Sequence, residues 1–249
     1  MQASKPAAEG EKKTTAKLVI LRHGQTHYNR AHLMTGRHDI KLTSRGRAQA
    51  REAGRILKYT PIDKVYSSYL QRAFNTASLA LKHAGKKDLP IEKRYEIIET
   101  DAGDFTGRCY TDDPEMLAHK PAYGKPMPNG ESDKDVVARV RKFYDEKILP
   151  HLSKGESVMV VAHYGVACAF DIVLGIVPEP EDCHPCHEAR VPNAAPAIYS
   201  YEDGVMVSHT YIENRKSQPR VLGPVNKNEK QDKKEWRSAP KPKDKGPGL

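Results

Sequence analysis

Leu18-Val19-Ile20-Leu21-Arg22-His23-Gly24 is the stretch whose reading decides the fold. Four apolar residues in a row, without polar alternation, describe a short strand buried on both faces, as in the middle of a parallel sheet. Where the run stops, the chain delivers a guanidinium, an imidazole and a glycine. In open α/β sheets, ligands bind beyond the carboxyl ends of the strands, so these three residues stand where chemistry is expected. An imidazole nitrogen is a nucleophile, a guanidinium matches phosphate oxygens in charge and geometry, and glycine leaves room beside the backbone. That combination suits a phosphoryl acceptor, provided that the rest of the chain agrees.

Working outward, a second apolar strand at Ser157–Ala162 also ends on a histidine, His163, which makes His163 a candidate partner of His23. Thr43 or Ser44 caps a helix running to about Tyr59, with Ala48, Ala50, Gly54, Ile56 and Leu57 forming its stripe. Val65-Tyr66-Ser67 reads as a short strand. A helix from about Leu70 to His83 follows, with Ala73, Phe74, Ala77 and Leu81 at helical spacing. Ile91–Arg94 and Ile97-Ile98 read as short extended segments, and Thr100–Gly130 as loop. Ser132 caps a long helix to about Leu152, and another helix runs from Gly165 to Leu174. Ala197–Tyr201 and Val205–Tyr211, separated by Glu202-Asp203-Gly204, form a hairpin. Strand and helix alternate, so the expected fold is a three-layer α/β/α sandwich around a mostly parallel central sheet.

The formal net charge of +9 points to nucleic acid or a membrane until it is divided along the chain. Leu18–Glu213 carries 26 basic and 26 acidic residues, so the excess lies in the first 17 residues and in the last 36. Both ends are poor in large apolar residues, which leaves too little buried surface to offset ordering. The expected organisation is a disordered segment over 1–16, one domain over 17–213, and a basic, disordered tail over 214–249. Nucleic acid is not expected to bind the domain, and weak contact is left to the tail. Met1–Thr15 is polar and charged rather than an apolar leader. Ser157–Val177 is apolar enough to suggest a membrane span, but His163 and Asp171 within it are expensive in lipid. No membrane association and a cytoplasmic location are therefore expected. Four cysteines do not make a disulfide framework, and Cys109 and Cys168 stand alone. Cys183-His184-Pro185-Cys186-His187 offers soft-metal donors, yet no second ligand pair follows at zinc-finger spacing, so no metal is assigned.

With these residues in view, the chain resembles the histidine phosphatase superfamily, in the branch of the phosphoglycerate mutases and their phosphatase relatives. The resemblance runs from about Leu18 to Glu213. It rests on Leu21-Arg22-His23-Gly24-Gln25-Thr26 with Asn29, on Thr35-Gly36 and Asp39, and on Leu42-Thr43 with Gly46. It continues through Tyr66-Ser67-Ser68, Arg72-Ala73, Thr76, Glu99 and Gly103-Asp104-Phe105-Thr106-Gly107. Asn129-Gly130-Glu131-Ser132 and Ala162-His163-Tyr164-Gly165-Val166 complete it. The resemblance implies that His23 becomes phosphohistidine, that Arg22, Arg72 and His163 hold the phosphate oxygens, and that Glu99 gives and takes the proton. It implies that Asn29, Thr35 and Gly36, with Tyr164, contact a small phosphorylated substrate. No metal is needed, because cations that match the equatorial oxygens do the electrostatic work.

Two departures bear on the acceptor. The segment in which the mutases carry a lysine and an arginine pair for the substrate carboxylate is short here. Gly107–Gly130 holds only Arg108, Lys120 and Lys125 as cations. Thr100 and Ala102 stand where the mutases present an arginine and a tyrosine, and His163-Tyr164-Gly165 is spaced as in the phosphatase members. The expectation is therefore a metal-independent phosphomonoester hydrolase without a cofactor. The alternative is a phosphoglycerate mutase primed by 2,3-bisphosphoglycerate. Oligomeric state is left open.

Overall fold

Apolar runs without alternation become the centre of the sheet. The computed structural model describes residues 13–119, 122–180 and 191–217. In chain order the elements are β1 (Thr15–Arg22), α1 (His27–Arg30), α2 (Ser44–Ile56), β2 (Lys64–Ser68), α3 (Gln71–His83) and β3 (Ile91–Arg94). They continue with α4 (Pro114–Ala118), α5 (Asp133–Phe143), α6 (Leu149–Leu152), β4 (Val158–Ala162), α7 (Tyr164–Val173), β5 (Pro196–Glu202) and β6 (Val205–Tyr211). The strands form one sheet in the order β3-β2-β4-β1-β5-β6. The pairs β3–β2, β2–β4 and β4–β1 are parallel, whereas β5 and β6 add antiparallel at the far side.

Side-chain alternation along the strands divides the core into two. Leu18 and Ile20 of β1 and Val158, Val160 and Ala162 of β4 pack with Val136, Val140, Phe143 and Phe170 of the α5–α7 side. Val19, Leu21, Met159 and Val161 pack with Ala53, Leu57, Ala73, Ala77 and Leu81 of the α2–α3 side. This is a three-layer α/β/α sandwich. Every residue of β4 is buried, as the unbroken run Val158–Ala162 requires of a strand covered on both faces.

Two features of this topology place the site. After β1 the chain turns to α2 on one face, and after β4 it turns to α7 on the other, so β1 and β4 form a switch point of the sheet. The β1–β4 register pairs Arg22 with Ala162, and the His23 amide donates to the Ala162 carbonyl at 2.9 Å. The next residues out of the two strands, His23 and His163, therefore emerge side by side.

Several expectations need correction. β1 begins at Thr15, ahead of Lys17, because Thr15 and Ala16 pair with Glu202 and Tyr201. Residues 214–217 are not loose tail: Asn214 is buried and donates to the carbonyls of Gln49 and Ala194, and Ser217 donates to the Asn193 carbonyl. Ile97-Ile98 lies in a turn rather than a strand. The long helix from Ser132 is interrupted by a π turn over Tyr144–Ile148. Pro150 has no N–H to donate and clashes with the preceding turn, and a widened turn relieves both problems. The loop between Thr100 and Gly130 holds the one-turn helix α4, capped by Asp113 with Pro114 at its first position. Cys168, which the sequence leaves isolated, is disulfide-bonded; a lone cysteine in a helix carries no local signal of its partner. The metal-like cluster at 183–187, Lys120 and the ends of the chain lie outside the described residues. Among the described residues, no helix is long and apolar enough to cross a membrane.

Candidate active site

Four of the expected residues meet at the carboxyl ends of β1 and β4. His23 and His163 are almost fully buried, with ring centroids 5.2 Å apart and planes at 60°. Nδ1 of His23 lies 2.7 Å from the Gly24 carbonyl oxygen. A carbonyl only accepts, so Nδ1 carries the proton and Nε2 keeps its lone pair. Arg72 points its Nε at that same Nε2 from 3.3 Å. Burial, with the charges of Arg72 and Arg22 adding to it, holds the His23 imidazole well below its usual range, so the ring is neutral.

Arg72 projects from the first turn of α3 and is completely buried. Carbonyls hold it in place: Nη1 donates to His38 at 2.6 Å and Nη2 to Gly36 at 2.9 Å. Gly36 adopts φ +48°, and a side chain there would press on Thr106 and Ala102, which explains a glycine at this turn. Burial lowers the guanidinium pKa to about 10, and it remains charged. Arg22 donates from Nη1 to the Val191 carbonyl at 2.7 Å and lies over the Tyr164 ring at 5.0 Å. Among the described residues, neither arginine forms an ion pair.

His163 is the N-cap residue of α7, but its side chain does not cap the helix. Its Nε2 lies 2.7 Å from Ser68 Oγ, which already accepts from the Leu70 amide at 3.3 Å. A hydroxyl keeps its own proton and a second lone pair, so Ser68 can serve Nε2 as donor or as acceptor, and the contact allows either tautomer of His163. Burial first, then the charge of Arg72, keeps this ring neutral too. The cap of α7 comes instead from Glu99. Its Oε1 accepts from the Thr100 amide at 2.9 Å and the Gly165 amide at 3.2 Å, and its Oε2 from the Tyr164 amide at 3.2 Å. A carboxylate at the positive end of a helix is well placed. The fit demands a glycine, because a Cβ on Gly165 would come within 2.4 Å of Thr100 Oγ1 and 3.0 Å of Glu99 Oε1.

Three buried side-chain nitrogens among the described residues have no hydrogen-bond partner: Arg22 Nε, His163 Nδ1 and His38 Nδ1. An unpaired buried polar group costs about 1–3 kcal/mol. Arg22 Nε and His163 Nδ1 belong to the group at the ends of β1 and β4, where an anion would satisfy an N–H; His38 is tied to that group through its carbonyl, which accepts from Arg72.

The supporting residues were less visible in the sequence. Asp39 accepts from the Gln71 amide at 2.7 Å and so caps the helix that carries Arg72. Thr76 accepts from the Gly24 amide and donates to the Arg72 carbonyl, tying the β1 loop to α3. Gly24 and Gly46 allow the β1 loop to lie against the start of α2; a Cβ on Gly24 would fall 2.3 Å from the Gly46 oxygen. Asn29, expected at the entrance, gives its Oδ1 to a capping box with Thr26. Its Oδ1 is also reached by Asn193, which donates to the His23 carbonyl as well. Thr35 is buried beside Gly36. Asp133, which the sequence did not single out, opens α5; burial and the nearby Glu99 charge raise its carboxyl to about 6.

The arginines bordering the Glu99 loop differ from those in the cage. Arg37 pairs with Asp101 and Glu131, Arg139 with Glu131, and Arg108 with Asp113 and Glu115. Among the described residues, no group of three or more His, Cys, Asp or Glu side chains is placed to hold a metal ion.

The family model of the histidine phosphatase superfamily (branch 1) matches residues 18–209. A 2,3-bisphosphoglycerate-dependent phosphoglycerate mutase of Bradyrhizobium diazoefficiens is 40% identical over 165 residues, covering 63% of this chain and 80% of its own. The enzyme of the same name from Methylobacterium radiotolerans is 34% identical over 205 residues, covering 79% of this chain and 95% of its own. Among solved structures, a mycobacterial glucosyl-3-phosphoglycerate phosphatase superposes with a TM-score of 0.65 at 29% identity, over 80% of this chain and 99% of that one.

Proposed function

The chain belongs to branch 1 of the histidine phosphatase superfamily, and from that premise we propose that it moves the phosphoryl group of a phosphomonoester onto His23 and then onto a second acceptor. The observation that carries this reading is a neutral imidazole whose Nε2 keeps its lone pair and accepts from Arg72, set beside a second histidine and two arginines that form no ion pair among the described residues. Nε2 attacks phosphorus, the P–O bond to the alcohol breaks, and Glu99 supplies the proton that the departing oxygen takes. Arg22, Arg72 and Nδ1 of His163 bind the equatorial oxygens, where charge builds as the phosphoryl group passes. In the second half the acceptor hydroxyl gives its proton to Glu99 as it attacks phosphorus, the N–P bond breaks, and His23 is restored.

The site geometry supports water as that acceptor. A phosphoglycerate brings a carboxylate, and a 2,3-bisphosphoglycerate primer brings a carboxylate and a second phosphate, all needing cations beyond the cage. The described arginines on that side already hold carboxylates, Lys125 has an interaction of its own, and Thr100 and Ala102 offer no charge. The described residues therefore fit such a primer poorly. Sequence similarity favours the other reading: relatives at 34–40% identity bear the mutase name, and on that ground return of the phosphoryl group to a phosphoglycerate hydroxyl stands ahead of hydrolysis.

One pair of assays separates the two. The enzyme is given 3-phosphoglycerate with catalytic 2,3-bisphosphoglycerate, and both 2-phosphoglycerate and free phosphate are followed; glycerol phosphate and sugar phosphates are assayed in parallel. Phosphate release without 2-phosphoglycerate supports hydrolysis, and the reverse supports the mutase. His23→Ala is expected to lower either activity by about 10⁴-fold or more and to abolish acid-labile labelling of the protein by a ³²P-phosphomonoester. Labelling that survives in His23→Ala would end both readings.

A further inference from the structure

Glu99 stands on a loop, and that loop is gripped by a carboxylate from a distant part of the chain. Glu131, just ahead of α5, accepts from the Asp101 amide at 3.0 Å, and its own amide donates to the Asp101 carbonyl at 2.9 Å. The exchange needs a close approach of the two backbones: a Cβ on Gly130 would fall 2.4 Å from the Asp101 oxygen. The same carboxylate binds two arginines. Arg139 reaches both of its oxygens, at 3.3 Å and 3.2 Å, and Arg37 reaches Oε1 at 2.8 Å. Each arginine then donates to the backbone of the loop: Arg139 Nη1 to the Glu96 carbonyl at 2.7 Å, and Arg37 Nε to the Glu99 carbonyl at 3.4 Å. A guanidinium is planar and its N–H groups are fixed relative to one another, so a partner on one edge sets where the other edge donates. One carboxylate thus holds the loop ahead of Glu99, at the Glu99 carbonyl and behind it. Among the described residues, Glu131 itself bonds to none of His23, Arg72 and His163.

We propose, on the reading above in which Glu99 carries the proton, that Glu131 is a positioning residue for that carboxyl group. Through Arg37, Arg139 and the Asp101 amide it fixes the loop from which Glu99 meets the oxygen of the leaving alcohol. Both Glu99 oxygens accept from amides of Thr100, Tyr164 and Gly165, so their placement depends on where the loop meets the start of α7. A misplacement of about 1 Å far from the chemistry can cost about 10²-fold in rate. Arg37 also follows Gly36, whose carbonyl accepts from Arg72 at 2.9 Å, so the brace extends to the guanidinium that faces His23.

The test compares kcat/KM for release of glycerol and of p-nitrophenol from their phosphate esters, a quantity that covers the steps up to departure of the alcohol. Glu131→Ala is expected to lower it about tenfold or more for glycerol phosphate, whose leaving group needs a proton, and several times less for the nitrophenyl ester. Glu131→Gln keeps the shape of the side chain and an oxygen for the Asp101 amide. It is expected to lose less than the alanine variant, with the same bias toward glycerol phosphate, and it decides the matter should the alanine variant not fold. Glu99→Gln is the reference and is expected to show that bias more strongly. Equal losses on both esters in the Glu131 variants, or no loss, beside a biased Glu99→Gln would overturn the positioning role alone. An unbiased Glu99→Gln would overturn the proton-transfer reading and the positioning role with it.

Discussion

The two arginines beside His23 and those bordering the Glu99 loop follow opposite rules. Arg22 and Arg72 are steered by backbone carbonyls and an aromatic face, which orient a guanidinium without cancelling its charge. Arg37, Arg108 and Arg139, a short distance along the Glu99 loop, are each matched by one or two carboxylates. Buried charge is expensive, and among the described residues the two buried guanidinium groups feel Glu99 and Asp39 without forming an ion pair with either.

Replacing Arg72 by lysine is the strongest way to break that contrast. A lysine keeps the charge but cannot hold the Gly36 and His38 carbonyls and the His23 ring together from one plane. A fall in kcat/KM of about 10²- to 10³-fold is expected from steady-state assay, with a loss of about 2 kcal/mol in urea unfolding from the stranded carbonyls. Arg108→Lys, beside the Glu99 loop, should leave kcat/KM within about twofold, because its bidentate pair with Asp113 does not include His23, Arg72 or His163; comparable losses in the two variants would erase the distinction.

Gly165→Ala sharpens the comparison at Glu99, the residue proposed to carry the proton. The new Cβ displaces Glu99 and Thr100, and kcat for an alkyl phosphate is expected to fall about tenfold or more. The loss with p-nitrophenyl phosphate, whose leaving group scarcely needs a proton, should be several times smaller. Equal losses on both esters would show that Glu99 does not deliver the proton.

Asp133→Asn has the smallest expected effect. The folded pKa, raised to about 6 by burial and by Glu99, lies above the ordinary value for an aspartate. The unfolded chain therefore ionises first, and the fold carries a penalty that is absent below about pH 4 and complete above about pH 6. The variant should gain about 1–2 kcal/mol at pH 7.5 and less at pH 4.5, measured by thermal unfolding at both. No gain at either pH would mean that this carboxyl is better compensated than its burial implies.

Legibility followed how local each signal was. The apolar runs at 18–21 and 158–162 announced the two central strands, and the residue after each was a histidine of the site. Periodicity placed α2, α3 and α7 within a few residues. Arg72 is an arginine in an amphipathic helix that would ordinarily face solvent, and only the family resemblance marked it, because its burial depends on a loop more than thirty residues earlier in the chain. The break in the helix from Ser132 was in plain view at Pro150, yet a continuous apolar stripe outweighed it. Asn29 has a residue type that suits a substrate contact, and Thr26-x-x-Asn29 is equally a capping pattern, which engages its Oδ1. Ser68, Asp39 and Asp133 act on groups far away in sequence, where no spacing rule reaches.

The attachment of Glu99 to the amides of Tyr164 and Gly165 has a further consequence. If Glu99 carries the proton as proposed, protonation makes it a poorer acceptor for amides, so the end of the helix it covers would loosen slightly in one half of the cycle and tighten in the other. The Gly165 amide would then serve as an internal electrode: its nitrogen resonance, followed during turnover, reads where the travelling proton resides without any label on the substrate.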